Sequence, residues 1–90
     1  MRSDIKSSSQ KRLNRIEGQV RGISKMIDED RYCIDLITQI EAVKAALGRV
    51  ERDILNDHVA HCVEHAIASG NKAEQRQKVA ELTALLERVT

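Results

Sequence analysis

Three residues of this 90-residue chain have side chains that commonly bind metal ions: Cys33, His58 and Cys62. His58 and Cys62 are four residues apart, so on a helix both side chains lie on the same face. Structural disulfides are rare in the reducing cytoplasm, where we expect this chain, so metal binding or redox chemistry is the better interpretation of two cysteines. Two thiolates and one imidazole form a soft donor set, which favours Cu(I), zinc or iron–sulfur chemistry.

The number of donors separates these possibilities. A structural zinc site takes four ligands, whereas three donors match three-coordinate Cu(I). Ni(II) and Co(II) favour sites with more nitrogen and oxygen donors, and no histidine lies near the N-terminus to supply one. His61 and His65 form a second pair at i, i+4 spacing, rotated about 60° or more from the first, and we expect this pair on the solvent face.

An enzyme could use the same residues as a Cys–His nucleophile pair. Such a site also needs an orienting third group and oxyanion donors. Because the chain has no Pro and only four Gly, nothing in it indicates a pocket built from loops. We therefore expect a protein that is not an enzyme.

The composition predicts that helices position the candidate ligands. The chain has one aromatic residue and no Pro, Trp or Phe, which suits helices better than a β-sandwich. The first predicted helix opens at Ser7, which has capping-box spacing with Gln10, after a flexible tail over about residues 1–7. The acidic run 28–30 ends this helix and is expected to cap the next one. The apolar seam of the first predicted helix is Leu13, Ile16, Val20, Ile23 and Ile27.

The second predicted helix is long, running from Arg31 to about Ala68. At a rise of 1.5 Å per residue, about 38 residues make a rod of roughly 57 Å. Gly70 suits a left-handed C-cap, and Asn71 with Glu74 then opens a third helix. The apolar seam of the rod is Leu36, Ile40, Val43, Leu47, Val50 and Ile54.

Helix geometry indicates that one chain cannot bring its three donors together. Cys33 precedes His58 by 25 residues, or roughly 37 Å along a straight helix. A second, antiparallel copy can complete the site, with Cys33 from one chain and His58 and Cys62 from the other. The crossing centre then falls near residue 46, within small residues that would let two backbones approach closely: Ala42, Ala45, Ala46 and Gly48. We therefore predict an all-α fold in which three-helix protomers form an antiparallel four-helix-bundle dimer.

Basic residues are concentrated in the first part of the chain. The net charge is +1, but residues 1–25 carry +5 and residues 26–90 carry −4. This asymmetry suggests a polyanionic partner, although an ordinary solvated helix face would give the same pattern. No apolar run approaches the roughly 20 residues that span a bilayer, and the N-terminus has no apolar signal region. We therefore expect a cytoplasmic protein without a membrane partner.

Three segments form a recognisable set of motifs: RLNRIEGQVRGI at residues 12–23, DRYCID at residues 30–35 and DHVAHCV at residues 57–63. They closely resemble the copper-sensing operon repressors of the CsoR/RcnR family of bacterial metal-responsive repressors. The likeness covers about residues 10–70, and the spacing of Cys33, His58 and Cys62 is its most specific part. It implies a single all-α domain over residues 1–90 that forms antiparallel dimers, commonly paired into tetramers, and lacks a helix-turn-helix.

The resemblance also implies roles for individual residues. Cys33, His58 and Cys62 match the three Cu(I) ligands of the family, which two subunits share. Tyr32 matches a tyrosine beside the first ligand, and Glu81 resembles a glutamate of the third helix that couples to the metal-bound histidine. The residues that match or extend the operator-binding basic patch are Lys11, Arg12, Arg15 and Arg49.

The function that this resemblance implies is a Cu(I)-responsive repressor that binds duplex operator DNA without metal and releases it with copper. Nickel and cobalt sensors of the family have histidine where Cys62 stands, and persulfide sensors lack the histidine at position 58. A thiol sensor of persulfide, sulfide or electrophiles that uses Cys33 and Cys62 is the alternative function. A plain helical oligomer with a solvated basic end is a third. Single-stranded DNA is not expected as a partner, because the chain has almost no aromatic residues for base stacking.

Overall fold

The computed structural model describes residues 1–89, without the side chain of Val89, and contains three helices. They are α1 (Ser3–Asp28), α2 (Cys33–Ser69) and α3 (Lys72–Val89). Residues 1–89 contain no β-strand, and the predicted all-α fold class is confirmed. No helix within these residues is long and apolar enough to cross a membrane. Thr90, the last residue of the predicted domain, lies outside the described residues.

The first helix begins earlier than the sequence predicted. It starts at Ser3, and Asp4 in its first turn lies at the positive end of the helix dipole. The hydroxyl of Ser8, which belongs to the predicted cap region, instead donates to the carbonyl of Ile5 at 3.3 Å. A serine can be accommodated inside a helix in this way, because its hydroxyl bonds a carbonyl of the preceding turn. The predicted helix start at Ser7 is therefore wrong.

The acidic run 28–30 ends α1 but does not cap α2. Asp30 has a left-handed backbone conformation with a φ of +54°, which aspartate tolerates better than most residues. The N–H of Arg31 donates to the carbonyl of Met26 at 3.0 Å, as in a Schellman motif that closes a helix. Because α2 begins only at Cys33, the run lies too far upstream to cap it, and that prediction is wrong.

The junction between α2 and α3 has the predicted chemistry. Gly70 has a φ of +64°, a conformation that glycine adopts without the steric cost of a Cβ atom. The side-chain oxygen of Asn71 accepts hydrogen bonds from the backbone N–H groups of Ala73 at 2.9 Å and Glu74 at 3.2 Å. These bonds satisfy two of the free donors at the start of α3. The predicted C-cap and N-cap are both confirmed.

The chain divides into two compact units, Met1–Leu55 and the residues from Asn56 onwards. In the first unit α1 packs against α2 through Ile16, Val43 and Val50, which are all buried. All three belong to the predicted apolar seams, so the heptad-like pattern identified the residues that form this core. The apolar residues that are partly buried around it are Ile23, Ala46 and Ile54.

Other residues of the same two seams remain exposed. Leu47, for example, is 44% exposed, although it lies between the buried Val43 and Val50 in the seam of α2. Burying a side chain of this kind contributes about 1.5–3 kcal/mol, so the exposed part of the seam favours association. The other exposed seam residues of this unit are Leu13, Val20, Ile27 and Ile40.

Small residues in the middle of α2 serve packing within one chain. Ala46 packs against the core cluster of the first unit, and Ala45 lines a groove together with residues of α1. Ala45 remains exposed within one chain. That the small residues of α2 face a crossing second copy therefore stays a prediction.

Candidate metal centre and nucleic-acid interface

The three candidate metal ligands all belong to α2. Cys33 is the first residue of the helix and is exposed, His58 is exposed, and Cys62 is buried. Both cysteines are free thiols. Within residues 1–89 of one chain, no three His, Cys, Asp or Glu side chains are grouped so that they could hold a metal ion. A single chain therefore does not assemble the predicted set of three donors.

In the second unit Cys62 lines a groove of about 200 Å³ between the end of α2 and α3. The wall around the thiol is mainly apolar, with Val63 from α2 and Leu82 from α3 among its residues. Cys62 is only 6% exposed. The other residues of the groove are Ala66, Ile67, Gln75, Lys78 and Val79. The apolar wall protects the thiol from water and makes its environment sensitive to the position of α3.

Two polar contacts hold α2 and α3 together in the second unit. The side-chain amide of Gln75 donates to the carbonyl of Ala66 at 3.1 Å, and Nε2 of His65 lies 3.2 Å from a carboxylate oxygen of Glu74. His65 is exposed as predicted, but sequence reasoning missed its contact with α3. No short-range pattern indicates that contact, because it depends on how the chain reverses at Gly70.

The two residues expected to support the ligands, Tyr32 and Glu81, belong to different units of the chain. Tyr32 immediately precedes α2 and is exposed, and its carbonyl accepts a hydrogen bond from the N–H of Leu36 at 3.2 Å. Glu81 of α3 accepts hydrogen bonds from Gln77 and Lys78, each at 3.5 Å. Within residues 1–89 both hydrogen-bond partners of the Glu81 side chain therefore belong to its own helix.

A second groove, of about 350 Å³, lies between α1 and α2 in the first unit. Three of the four predicted DNA-binding residues line it: Arg12, Arg15 and Arg49. The fourth, Lys11, is exposed on α1 but is not part of the lining. The structure thus brings the predicted arginines of two helices into one basic groove, whose other residues are Ile16, Gln19, Ala45, Ala46 and Arg52.

Sequence reasoning missed Arg52 as a member of this groove. Arg49 and Arg52 are three residues apart on α2, and Arg12 and Arg15 have the same spacing on α1, so each pair lies on one helix face. The spacing alone could have identified both pairs. That the two pairs line the same groove depends on the packing of α1 against α2, which no local pattern contains.

The sequence profile of the metal-sensitive transcriptional repressors matches residues 5–88 of the chain. The chain belongs to this family. The prediction of a CsoR/RcnR-type repressor is confirmed, and so is the prediction of a regulator in place of an enzyme, since the activity of the family is transcriptional repression.

Individual members of the metal-sensitive repressors are closely similar to this chain. The copper-sensing transcriptional repressor RicR of Mycobacterium tuberculosis is 49% identical over 84 residues, which are 93% of this chain and 86% of RicR. The crystal structure of the copper-sensing repressor CsoR with Cu(I) from Geobacillus thermodenitrificans is similar with a TM-score of 0.86 and 41% identity, over 98% of this chain and 88% of that one. The nickel-responsive transcriptional regulator InrS has a TM-score of 0.80 and 42% identity, over 93% and 91% of the two chains.

Copper-sensing and nickel-responsive members therefore share this fold at nearly equal identity. The fold cannot decide between the metals, and the choice depends on the donor atoms that each chain supplies.

Proposed function

We propose that this chain is a Cu(I)-responsive transcriptional repressor that acts on duplex operator DNA in the cytoplasm. In its metal-free form it binds DNA through the basic surface that includes Lys11, Arg12, Arg15 and Arg49. Cu(I) is held by Cys33 of one protomer with His58 and Cys62 of another, and the DNA is then released. Residues 1–90 act as one domain in homodimers that pair into tetramers.

The donor set is the observation that carries the choice of copper. Cys33, His58 and Cys62 supply two sulfur atoms and one nitrogen, and soft sulfur donors select Cu(I) over Ni(II). The thiols must lose their protons to bind the metal. Cys62 lies in a mainly apolar groove, so a metal held there would be shielded from water. Its sulfur atom, together with that of Cys33, supports a soft ion such as Cu(I) as the bound metal.

Two observations support a site shared between protomers. No group of three donors exists within residues 1–89 of a single chain, so completion from a second copy is needed. The exposed seam residues, such as Ile40 and Leu47, give that copy an apolar surface to cover. An antiparallel arrangement of two α2 helices would place the exposed Cys33 of one near the His58 and Cys62 of the other.

Glu81 and Tyr32 have supporting roles in this proposal. In the metal-free chain Glu81 bonds to Gln77 and Lys78, and it would exchange these partners for the N–H of metal-bound His58. That hydrogen bond would draw α3 toward the ligand-bearing end of α2, because an imidazole that binds a metal through one nitrogen donates from the other. Tyr32 would shield the metal beside Cys33. Release of DNA requires that the conformation favoured by metal binds DNA more weakly, by a coupling of roughly 1–3 kcal/mol.

The decisive experiment is an anaerobic DNA-binding titration of the apo protein, with and without one equivalent of Cu(I) per protomer. The probe is a duplex enriched from a random pool by the apo protein itself. We expect Cu(I) to weaken binding and Zn(II) and Ni(II) to do so much less. If Cu(I) leaves the affinity unchanged while a persulfide donor abolishes binding, the chain is the thiol sensor that uses Cys33 and Cys62. In that case induction also survives the substitution His58→Ala.

A complementation experiment tests the shared site directly. The variant Cys33→Ala is mixed with the double variant His58→Ala/Cys62→Ala, and the mixture is unfolded and refolded together. Each heterodimer then has one complete site and one site without donors, so random pairing restores about a quarter of the wild-type sites. Each variant refolded alone serves as the control and should restore none. No recovery in the mixture would contradict a site between protomers.

A further inference from the structure

The basic groove between α1 and α2 has four arginines around a floor of small and apolar side chains. Arg12 and Arg15 come from α1, and Arg49 and Arg52 come from α2. The floor includes Ile16, Ala45 and Ala46. Each guanidinium group is planar and can donate two parallel hydrogen bonds to one phosphate, which a lysine cannot do. The groove thus brings together guanidinium N–H donors that suit an oxyanion, and its small side chains leave space for that anion.

The charges of this groove are not compensated within the protein. Within residues 1–89 none of the four arginines forms an ion pair or a side-chain hydrogen bond. Neighbouring cations on the same two helices are paired: Arg21 with Glu17 at 3.1 Å on α1, and Lys44 with Glu41 at 3.3 Å on α2. Four positive charges in one groove repel each other, and a bound anion offsets this repulsion.

One donor in the groove is also buried without a partner. Nε of Arg12 is inaccessible to solvent and has no hydrogen-bond acceptor within residues 1–89. A buried donor in this state is unfavourable, because it has lost its hydrogen bonds to water and gained none in the protein. The side chain of Arg12 is half-buried, so its guanidinium is held in the groove wall. An anion that enters the groove can supply the missing acceptor once the side chain of Arg12 turns its Nε toward it.

We infer that this groove binds a backbone phosphate of duplex DNA, and that Arg52 is one of the residues that contact it. The inference rests on the proposed function, and it adds a contact residue from α2 that the sequence did not identify. The side chain of Arg52 lies along the surface of α2 over Gly48, because its Nη1 is 3.6 Å from where a Cβ of Gly48 would stand. A phosphate contact there fixes both α1 and α2 on the DNA, so any movement between these helices changes the affinity.

The test compares Arg52→Ala and Arg52→Lys with the matched control Arg76→Ala, an exposed arginine of α3 outside the groove. Binding of the apo proteins to the enriched duplex is measured by fluorescence anisotropy between about 50 and 200 mM salt. Each lost phosphate contact lowers the slope of log K against log salt by about 0.9, and the affinity by about tenfold near 0.1 M salt. We expect this change for Arg52→Ala. Arg52→Lys, which keeps the charge without the planar fork, should lose less affinity and keep the wild-type slope, and Arg76→Ala should change neither value.

Different outcomes contradict different statements. If Arg52→Ala keeps the wild-type slope while Arg12→Ala weakens binding, Arg52 is not a phosphate contact and the proposed repressor function stands. A wild-type protein that binds no duplex overturns both. A thermal-shift assay with inorganic pyrophosphate tests whether the groove instead binds a free anion. If pyrophosphate stabilises the wild type but not Arg52→Ala, while both bind DNA equally well, the groove is a site for a free anion and the inference is overturned. Circular dichroism of each variant checks that the helices are retained.

Discussion

The basic groove of the first unit and the groove of Cys62 in the second unit differ in how their polar side chains are paired. In the first unit the arginines of the basic groove have no acidic partner within residues 1–89. In the second unit two pairs of polar side chains lie near the groove of Cys62, His65 with Glu74 and Lys78 with Glu81. The first region is thus prepared for a partner that supplies negative charge from outside. The second region has polar contacts that can be exchanged when a ligand arrives.

This difference is what we expect of a regulator in which one region binds a polyanion and another responds to a ligand. A surface that binds a polyanion gains most when its cations are free of competing carboxylates. A segment that responds to a ligand needs contacts that are individually weak, so that the binding free energy of the ligand can rearrange them. Exposed and half-exposed ion pairs are contacts of this kind, because each contributes little to stability. The comparison predicts that substitutions in one unit alter one function and spare the other.

The largest effect is expected for Cys62→Ala in the second unit. Changes to groups that merely support a metal ligand reduce metal affinity by about 10- to 100-fold, so the loss of a direct ligand should reduce Cu(I) affinity by at least about 100-fold. Affinity for DNA in the absence of copper should stay within about twofold of wild type, since no phosphate contact is removed. Competition with a chromophoric Cu(I) chelator under anaerobic conditions measures the first value, and anisotropy measures the second.

Val63→Ala is the matched control for that substitution. It removes an apolar side chain from the same groove but no donor atom, so Cu(I) affinity should be nearly unchanged. An equal loss of DNA affinity and copper affinity in Cys62→Ala would mean that the two units do not separate the two functions.

The reciprocal effect is expected for Arg12→Ala and Arg49→Ala in the first unit. Each substitution removes one guanidinium per protomer from the basic groove and should lower DNA affinity by about tenfold near 0.1 M salt for each protomer that contacts the DNA. The affinity for Cu(I) should not change, because neither residue has a donor atom for the metal. Arg88→Ala in α3 removes the same charge outside the groove and is expected to bind DNA like the wild type. Unchanged DNA affinity in both groove variants would instead support a plain helical oligomer with a solvated basic face.

Local sequence patterns predicted the parts of the fold that neighbouring residues determine. The seams contained the core residues Ile16, Val43 and Val50, because burial on a helix recurs every three or four residues. Gly70 and Asn71 were identified by the special backbone conformation and the free donors at a helix junction. The start of α1 was not predicted correctly, because the hydroxyl of Ser8 can form a hydrogen bond inside a helix as well as at its end.

The candidate sites were predictable only in part, for the same reason. Arg12 and Arg49 could be identified singly, but their meeting with Arg52 depends on the packing of two helices. The contact of His65 with Glu74 depends on the chain reversal at Gly70. Contacts between residues of different helices carry no local signature, so the sequence indicated only some members of the basic groove, and the structure added Arg52 and brought the arginines together.

A pair of glycine substitutions should change stability in opposite directions in the two units. Gly70→Ala forces a Cβ atom into a left-handed conformation and should lower the free energy of unfolding by about 1–2 kcal/mol. Gly22→Ala lies inside α1, where an added Cβ meets nothing within 4 Å, and should raise it by about 0.5–1 kcal/mol. Urea unfolding followed by circular dichroism measures both. A destabilising Gly22→Ala would indicate that a partner protomer covers this position.

The smallest effect is expected for Lys78→Met, and it concerns the coupling between Cu(I) binding and DNA binding more than the stability of the fold. Lys78 lies 3.5 Å from Glu81, and the loss of such a pair should change the free energy of unfolding by less than about 1 kcal/mol. In the proposed mechanism, however, this lysine competes with metal-bound His58 for the carboxylate. Its removal should therefore enlarge the Cu(I)-dependent loss of DNA affinity by about two- to fivefold. Lys44→Met breaks the Lys44–Glu41 pair in the first unit and should leave this ratio unchanged, so an equal change in both variants would mean that general loss of positive charge is responsible.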